Sequence, residues 1–147
     1  MQRLVKADAG QAVLEAAICL PILCLLLVGV IDLGRLSQFD TKLASAARAG
    51  AQYGAQNLET ADDLTGQQVA AENDISNMAG TTATASAPFC TCYGSTGNVS
   101  CTATACSTSH RLLFVSVKVS GTFKPMFNYF INTATLHSRT ATLQVGQ

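Results

Sequence analysis

Gly10-Gln-Ala-Val-Leu-Glu15-Ala-Ala-Ile-Cys19-Leu-Pro21-Ile-Leu-Cys24-Leu-Leu-Leu-Val-Gly29-Val-Ile31 is a long apolar run with one carboxylate near its start. From Ala16 to Ile31 no charged side chain interrupts it. Extended back past Glu15 to Ala12, the run reaches about 20 residues, enough for a helix to cross a bilayer. A carboxylate inside such a segment costs roughly 2.5–3.5 kcal/mol on insertion scales. Glu15 therefore reads as a residue kept for pairing or recognition. Pro21 removes one helix hydrogen bond and is expected to bend the helix, which a membrane helix tolerates better than a soluble one.

What precedes the run is hydrophilic. Met1–Gly10 carries Arg3 and Lys6, which favour a cytoplasmic N-terminus. Arg35, Lys42 and Arg48 stand on the other flank. A cleaved secretory signal fits poorly, because the apolar run is long and Asp32-Leu-Gly34-Arg35 follows it in place of a small-x-small site. A lipoprotein signal fails as well: Ile18 and Leu23 precede Cys19 and Cys24 where a small residue is needed. What remains is a prepilin-type signal, in which a short basic leader ends in glycine and a glutamate follows five residues on. Only this reading accounts for both Gly10 and Glu15. With no side chain, Gly10 lets a peptidase approach the backbone closely.

Helical spacing persists beyond the membrane-length segment. Leu36, Phe39, Leu43, Ala46, Gly50 and Tyr53 recur at steps of three and four. A helix from about Ala12 to Asn57 would extend ~69 Å at 1.5 Å per residue, so its second half is expected to stand outside the bilayer as a stalk. Ala46, Gly50 and Gly54 form a small-xxx-small ladder, with Ala47, Ala51 and Ala55 beside it. Such ladders let helix backbones approach closely. Two readings stay open: a helix-packing surface within a fibre, and a seat for this chain's own sheet.

Thr60–Met78 reads as a second, shorter helix, with Thr60 as its cap and Asp62 and Asp63 in its first turn. Cys90, Cys92, Cys101 and Cys106 cluster in a Thr/Ser-rich segment. Their grouping suggests an oxidising compartment and two disulfides. Cys90 and Cys92 point the same way on an extended segment and are poorly placed to bond each other. Of the two remaining pairings we expect Cys90–Cys106 with Cys92–Cys101, a hairpin nested on Gly94 to Gly97. Leu113–Val119 and Leu136–Val145 read as half-buried strands. Between them, Phe127, Tyr129 and Phe130 are expected to plug the sheet against the helix. The expected fold class is α+β: a long N-terminal transmembrane and stalk helix, a second shorter helix, and a small antiparallel sheet with a disulfide-bonded loop.

Charge is unevenly spread. The formal net charge is zero, yet all nine acidic residues lie at or before Asp74, and from Ile75 onward the lysines and arginines are Arg111, Lys118, Lys124 and Arg139. The C-terminal half is thus mildly cationic within a solvated, Thr/Ser-rich domain. A C-x-C with a C-x4-C is not a common zinc spacing, so no metal site is expected. Phosphate-loop, zinc-protease and nucleophile-elbow motifs are missing. His110 and His137 have no acidic neighbour in sequence, so no catalytic residue, enzymatic role or cofactor is expected. Four scattered basic residues do not make a nucleic-acid surface, and no nucleic-acid partner is expected.

Gly10, Glu15, Leu20-Pro21, Asp32, Gly34, Arg35 and the later Arg48-Ala-Gly50-Ala51 together resemble the TadE-like pilin family of the Tad (tight adherence) pilus. The resemblance covers roughly Gly10 to Ala55, about a third of the chain, and Ala16 stands where many members carry an aromatic residue. It implies cleavage after Gly10 by a prepilin peptidase, leaving Gln11 as the new N-terminus, and a minor-pilin or pseudopilin role in a thin adhesive surface fibre. The implied partners are that peptidase, other pilin subunits, the inner-membrane assembly machinery, and membrane lipid before extraction. The implied location is the bacterial inner membrane, single-pass with the N-terminus cytoplasmic, and then the pilus at the cell surface. The organisation expected is a leader over 1–10, a transmembrane helix over 11–32, a stalk helix over 33–58 and an outer domain over 59–147. Once the leader is removed, the Gln11 ammonium of one subunit is expected to pair with Glu15 of a neighbour. Such a pair is costly to desolvate, and its best-attested benefit is register. A different class of function also fits: a membrane-anchored binding module that keeps its leader and never polymerises.

Overall fold

The computed structural model describes residues 2–102, 106, 109–126 and 135–146, with side chains from residue 10 onward. In chain order the elements are α1 (Gln2–Gly54), α2 (Leu58–Asp62), α3 (Leu64–Asp74), β1 (Thr81–Cys92), β2 (Asn98–Val99), β3 (Arg111–Phe123) and β4 (Thr135–Gln144). The chain divides into two units. One comprises Met1–Ser37 with Pro125–Thr133, and the other Gln38–Lys124 with Ala134–Gln147. Phe127, Tyr129 and Phe130, the expected plug, lie outside the described residues.

In the first unit α1 stays helical through Pro21. Proline leaves one carbonyl of the preceding turn without its amide donor, and the turns on either side keep the segment helical. Val13, Leu14, Ile18, Leu20, Ile22, Leu23, Leu25, Leu26 and Leu27 are each at least 55% exposed. Apolar side chains cover all sides of this stretch, where a helix seated on a globular core would show one stripe.

In the second unit the sequence of α1 changes from large to small apolar residues, and burial follows. Leu43, Ala46, Ala47 and Ala51 are essentially without exposed surface and share one core with Ala71, Ile75, Ala83, Ala85, Val117 and Val119. Small residues matter here because the backbones come close. A Cβ on Gly50 would lie 2.6 Å from the carbonyl oxygen of Gln67 and 3.1 Å from both Ala71 Cβ and Val117 Cγ1. A Cβ on Gly54 would meet the Gln67 side chain at 2.7 Å. The ladder of Ala46, Gly50 and Gly54 is thus seated on this chain's own α3 and sheet.

The expected helix from Thr60 to Met78 is two helices with separate caps. Asn57 caps α2: its Oδ1 accepts from the Thr60 amide at 2.9 Å, and Thr60 Oγ1 accepts from the Asn57 amide at 3.1 Å. Thr60 is therefore the reciprocal member of a capping box and not the cap itself. Asp63 interrupts the helix and caps α3, its Oδ1 accepting from the Gly66 amide at 2.9 Å. Gln67 ties the two pieces together. It is fully buried and its Nε2 donates to the carbonyls of Thr60 and Ala61. Two short Asx-type side chains compete with the backbone for its own donors here, which is why one long helix does not form.

The sheet is antiparallel in the order β2-β1-β3-β4. Along β3, Val115, Val117 and Val119 face the core while Lys118 is exposed and Ser116 and Ser120 are partly so. The register of β1 against β3 shifts between Ser86 and Phe89. Pro88 lies inside that shift, and a bulge is where a strand accepts a residue with no amide donor. A smaller cluster of Ala61, Val115 and Val145 closes the far end of the core.

All four clustered cysteines are bonded, in the pairing Cys90–Cys101 and Cys92–Cys106. This corrects the nested arrangement expected from sequence. The reason is register. The hairpin turns early, around Gly94 at φ 81°, and β2 sets Val99 opposite Cys90. Cys101 then arrives just past Cys90, already beyond reach of Cys92. Cys92 is left for Cys106, farther along the returning chain.

Candidate functional site

The residues of the expected processing and assembly site, Gly10, Gln11 and Glu15, sit on α1. Gly10 has nothing within 4 Å of where a Cβ would stand, and Gly10, Gln11 and Glu15 are all exposed. Gln11 and Glu15 are four residues apart in one helix, so their side chains lie one above the other on the same face. Among the described residues Glu15 meets no cation. It is a lone acid on an otherwise apolar, uncovered cylinder, five residues past a glycine with open surroundings.

Toward the end of the apolar stretch, Asp32 accepts from Arg35 Nη1 at 3.2 Å and from the backbone amide of Met126 at 3.2 Å. The Asp32–Arg35 spacing of three places both on one helix face, so this pairing is readable from sequence. The Met126 contact is not, because 94 positions separate the partners.

In the second unit, Asp40 holds β4. Its Oδ2 accepts from Arg139 Nη2 at 2.9 Å, and its Oδ1 lies 3.0 Å from His137 Nδ1. The other ring nitrogen of His137 is 2.9 Å from Thr135 Oγ1. The acidic partner that His137 lacks among its sequence neighbours is on α1, remote in sequence. The same unit pairs Tyr53 with Asp63, the hydroxyl donating to Oδ2 at 2.9 Å. The Gly66 amide first, then the Tyr53 hydroxyl, hold the Asp63 carboxyl below the usual aspartate range. The hydrogen bond to Asp63 first, and then the charge of that carboxylate, push the Tyr53 phenol up.

At the disulfide end, Arg111 Nη1 donates to the Cys101 carbonyl and pins the loop to β3. Phe89 stacks on Phe114 with ring centres 5.7 Å apart, and Tyr93 on His110 at 4.7 Å. A cavity of about 270 Å³ opens beside the Cys90–Cys101 bond, lined by Leu58, Asp62, Pro88, Arg111 and Leu113. Cys19 and Cys24 are free thiols in the apolar stretch.

Residues 10–52 match the family model for TadE-like proteins. The match begins at the glycine before Glu15, runs the length of the apolar helix and ends two residues before α1 does. It supports a Tad pilus-related protein. One long apolar N-terminal helix is in keeping with membrane anchoring in such a protein. No curated protein and no solved structure matches the chain.

Proposed function

We propose, taking the TadE-like match over residues 10–52 as premise, that this chain is a non-enzymatic structural subunit of a Tad-type pilus, a minor pilin or pseudopilin. It enters the inner membrane through α1 with its N-terminus cytoplasmic. A prepilin peptidase cuts after Gly10, the domain ahead of the membrane folds and forms its disulfides in an oxidising compartment, and the trimmed chain joins a surface fibre that acts in adhesion. Its partners are the peptidase, other pilin subunits, the assembly machinery and, before extraction, lipid.

The observation that carries this reading is the pairing of an uncovered apolar helix with a single acid. Lipid alone would select against Glu15. A bundle of parallel helices gives it a task, because each new N-terminal ammonium at Gln11 can meet the carboxylate of a neighbouring subunit. The pair gains little net stability once desolvated, but a subunit slipped along the bundle buries an unpaired charge. Glu15 thereby sets register.

Intact-mass measurement of the purified protein, together with mass analysis of sheared surface fibres, tests the proposal. A chain beginning at Gln11 and present in the fibre fraction is the expected result. A chain retaining Met1–Gly10 and absent from fibres would instead make it a tethered binding module of the envelope.

A further inference from the structure

The sheet has one covered face and one open face. The covered face carries the valine and alanine core. On the open face the register lines up hydroxyls across three strands. Thr84, Lys118 and Thr140 form the middle row. On one side of it Thr82 and Ser120 are hydrogen-bonded at 3.1 Å, and on the other Thr142 donates to Ser116 at 3.4 Å. Neighbouring strands place such rows ~4.8 Å apart, and same-face residues follow at ~6.8 Å along each strand. The result is a hydroxyl grid with one cation at its centre.

Among the described residues nothing balances that cation. None of the three strands contains an aspartate or glutamate, and neither does any position from Ile75 to Gln147. Lys118 is exposed and makes no ion pair among the described residues. The face is therefore complementary to an anion carried on a hydrogen-bonding scaffold.

We infer that this face is a docking surface for an acidic polysaccharide, a polymer that displays carboxylates among hydroxyls. Serine and threonine hydroxyls both donate and accept, so they meet sugar hydroxyls in either sense. They stand on strands already paired on the sheet, so binding orders no loop and the entropic cost of docking stays low. Lys118 supplies the charge contact. A protein partner fits less well, since the apolar side chains of this face are split between its ends, Leu136 beyond the Ser120 row and the Phe89–Phe114 stack beyond Ser116, with the hydroxyl rows between them. A second copy packed face to face about a two-fold axis would bring Lys118 toward its own symmetry mate. Single-stranded nucleic acid needs a run of cations along its backbone as well as rings to stack on, and this face has one lysine.

This gives the proposed adhesive role a target chemistry, but it rests on the sheet alone. The test uses the full chain in detergent micelles, with alginate, a polyuronate, as probe and uncharged dextran as control. Alginate should bind the chain more tightly than dextran does, and added salt should weaken the alginate binding. Lys118→Gln should lower affinity roughly two- to fivefold, the worth of one exposed ion pair. Thr84→Val combined with Thr140→Val keeps side-chain shape and should lower it roughly tenfold, as expected for two neutral hydrogen bonds, with the melting temperature unchanged. Absence of alginate binding, equal binding to dextran, or indifference to both variants would overturn the proposal. So would sedimentation in which Lys118→Gln strengthens a dimer formed through this face. Because the readout needs no fibre, its failure leaves the assembly reading intact.

Discussion

Gly50 and Asp63 each do one definable job: close approach of two helices at the first, capping of α3 at the second. The absent side chain at Gly50 lets α1 lie against α3, with the Gln67 carbonyl oxygen 2.6 Å from where a Cβ would be. The obstacle is backbone, which cannot swing aside. Gly50→Ala gains up to ~1 kcal/mol in helix propensity but forces overpacking that costs about 1–3 kcal/mol. The clash should win, and a thermal melt should move down. Gly34→Ala is the matched control, with nothing within 4 Å, and should leave the melt of the domain unchanged. At Asp63 the folded carboxyl titrates below its ordinary value because the Gly66 amide and the Tyr53 hydroxyl bond its charged form. Its contribution is therefore present above the unfolded value of about 3.9 and fades as pH falls through the lower folded value. Melting curves taken from pH 6 down to 2 should show the gap between the native chain and Asp63→Ala closing in that window. Tyr53 has the opposite sense: its raised phenol stabilises below about pH 10 and loses that contribution as pH climbs through the folded value.

Among the elements, those written in local periodicity could be read from the sequence and those fixed by pairing could not. The three- and four-residue spacing from Leu36 to Tyr53 announced α1, and the alternation of Leu113–Val119 announced β3. The split at Asp63 stayed hidden because an Asx cap and an Asx residue in a helical first turn look alike until the backbone is placed. Glu15 and Gly10 could be found by spacing alone. The Asp40–His137–Arg139 contact could not, since sheet register decides which side chains of β4 meet α1. The disulfides failed in the same way: four cysteines predicted two bonds, but the hairpin register chose between pairings. The crossed arrangement makes a prediction for the edge of the sheet. Strand β2 has only two residues paired to β1, at Cys90↔Val99 and Thr91↔Asn98, too few to hold it. The bonds hold it instead, each worth about 2–4 kcal/mol. Non-reducing peptide mapping should recover the Cys90–Cys101 and Cys92–Cys106 peptides. Replacing Cys90 and Cys101 by serine should lower stability more than replacing Cys92 and Cys106. Cys90 has no exposed surface, so its removal also puts a hydroxyl into the core.

For the molecule as a whole, the long apolar stretch of α1 and the folded domain make separable demands on the sequence. The core of the second unit draws on α1 only from Phe39 onward, and none of its buried residues lies in the apolar stretch around Glu15. A change at Glu15 should therefore leave the outer domain folded, with the same melting curve and the same two disulfides. Assembly should respond differently. With Glu15→Ala, a neighbour's Gln11 ammonium finds no carboxylate, and burying that charge unpaired in a helix bundle costs several kcal/mol. Incorporation into fibres should drop by at least about tenfold, the effect of 1.4 kcal/mol on an equilibrium. Glu15→Gln separates charge from shape. It keeps a polar side chain of the same length and removes the charge, so it should fail like alanine if pairing is ionic. Counting subunits in sheared fibres by quantitative mass analysis, beside intact mass of the membrane-retained pool, reads both steps. Normal trimming after Gly10 with depleted fibres assigns Glu15 to assembly. Untrimmed chains assign it to recognition by the peptidase. Trimmed chains at native abundance in the fibre would mean that register is set elsewhere along the helix, and that this acid has no part in holding subunits together.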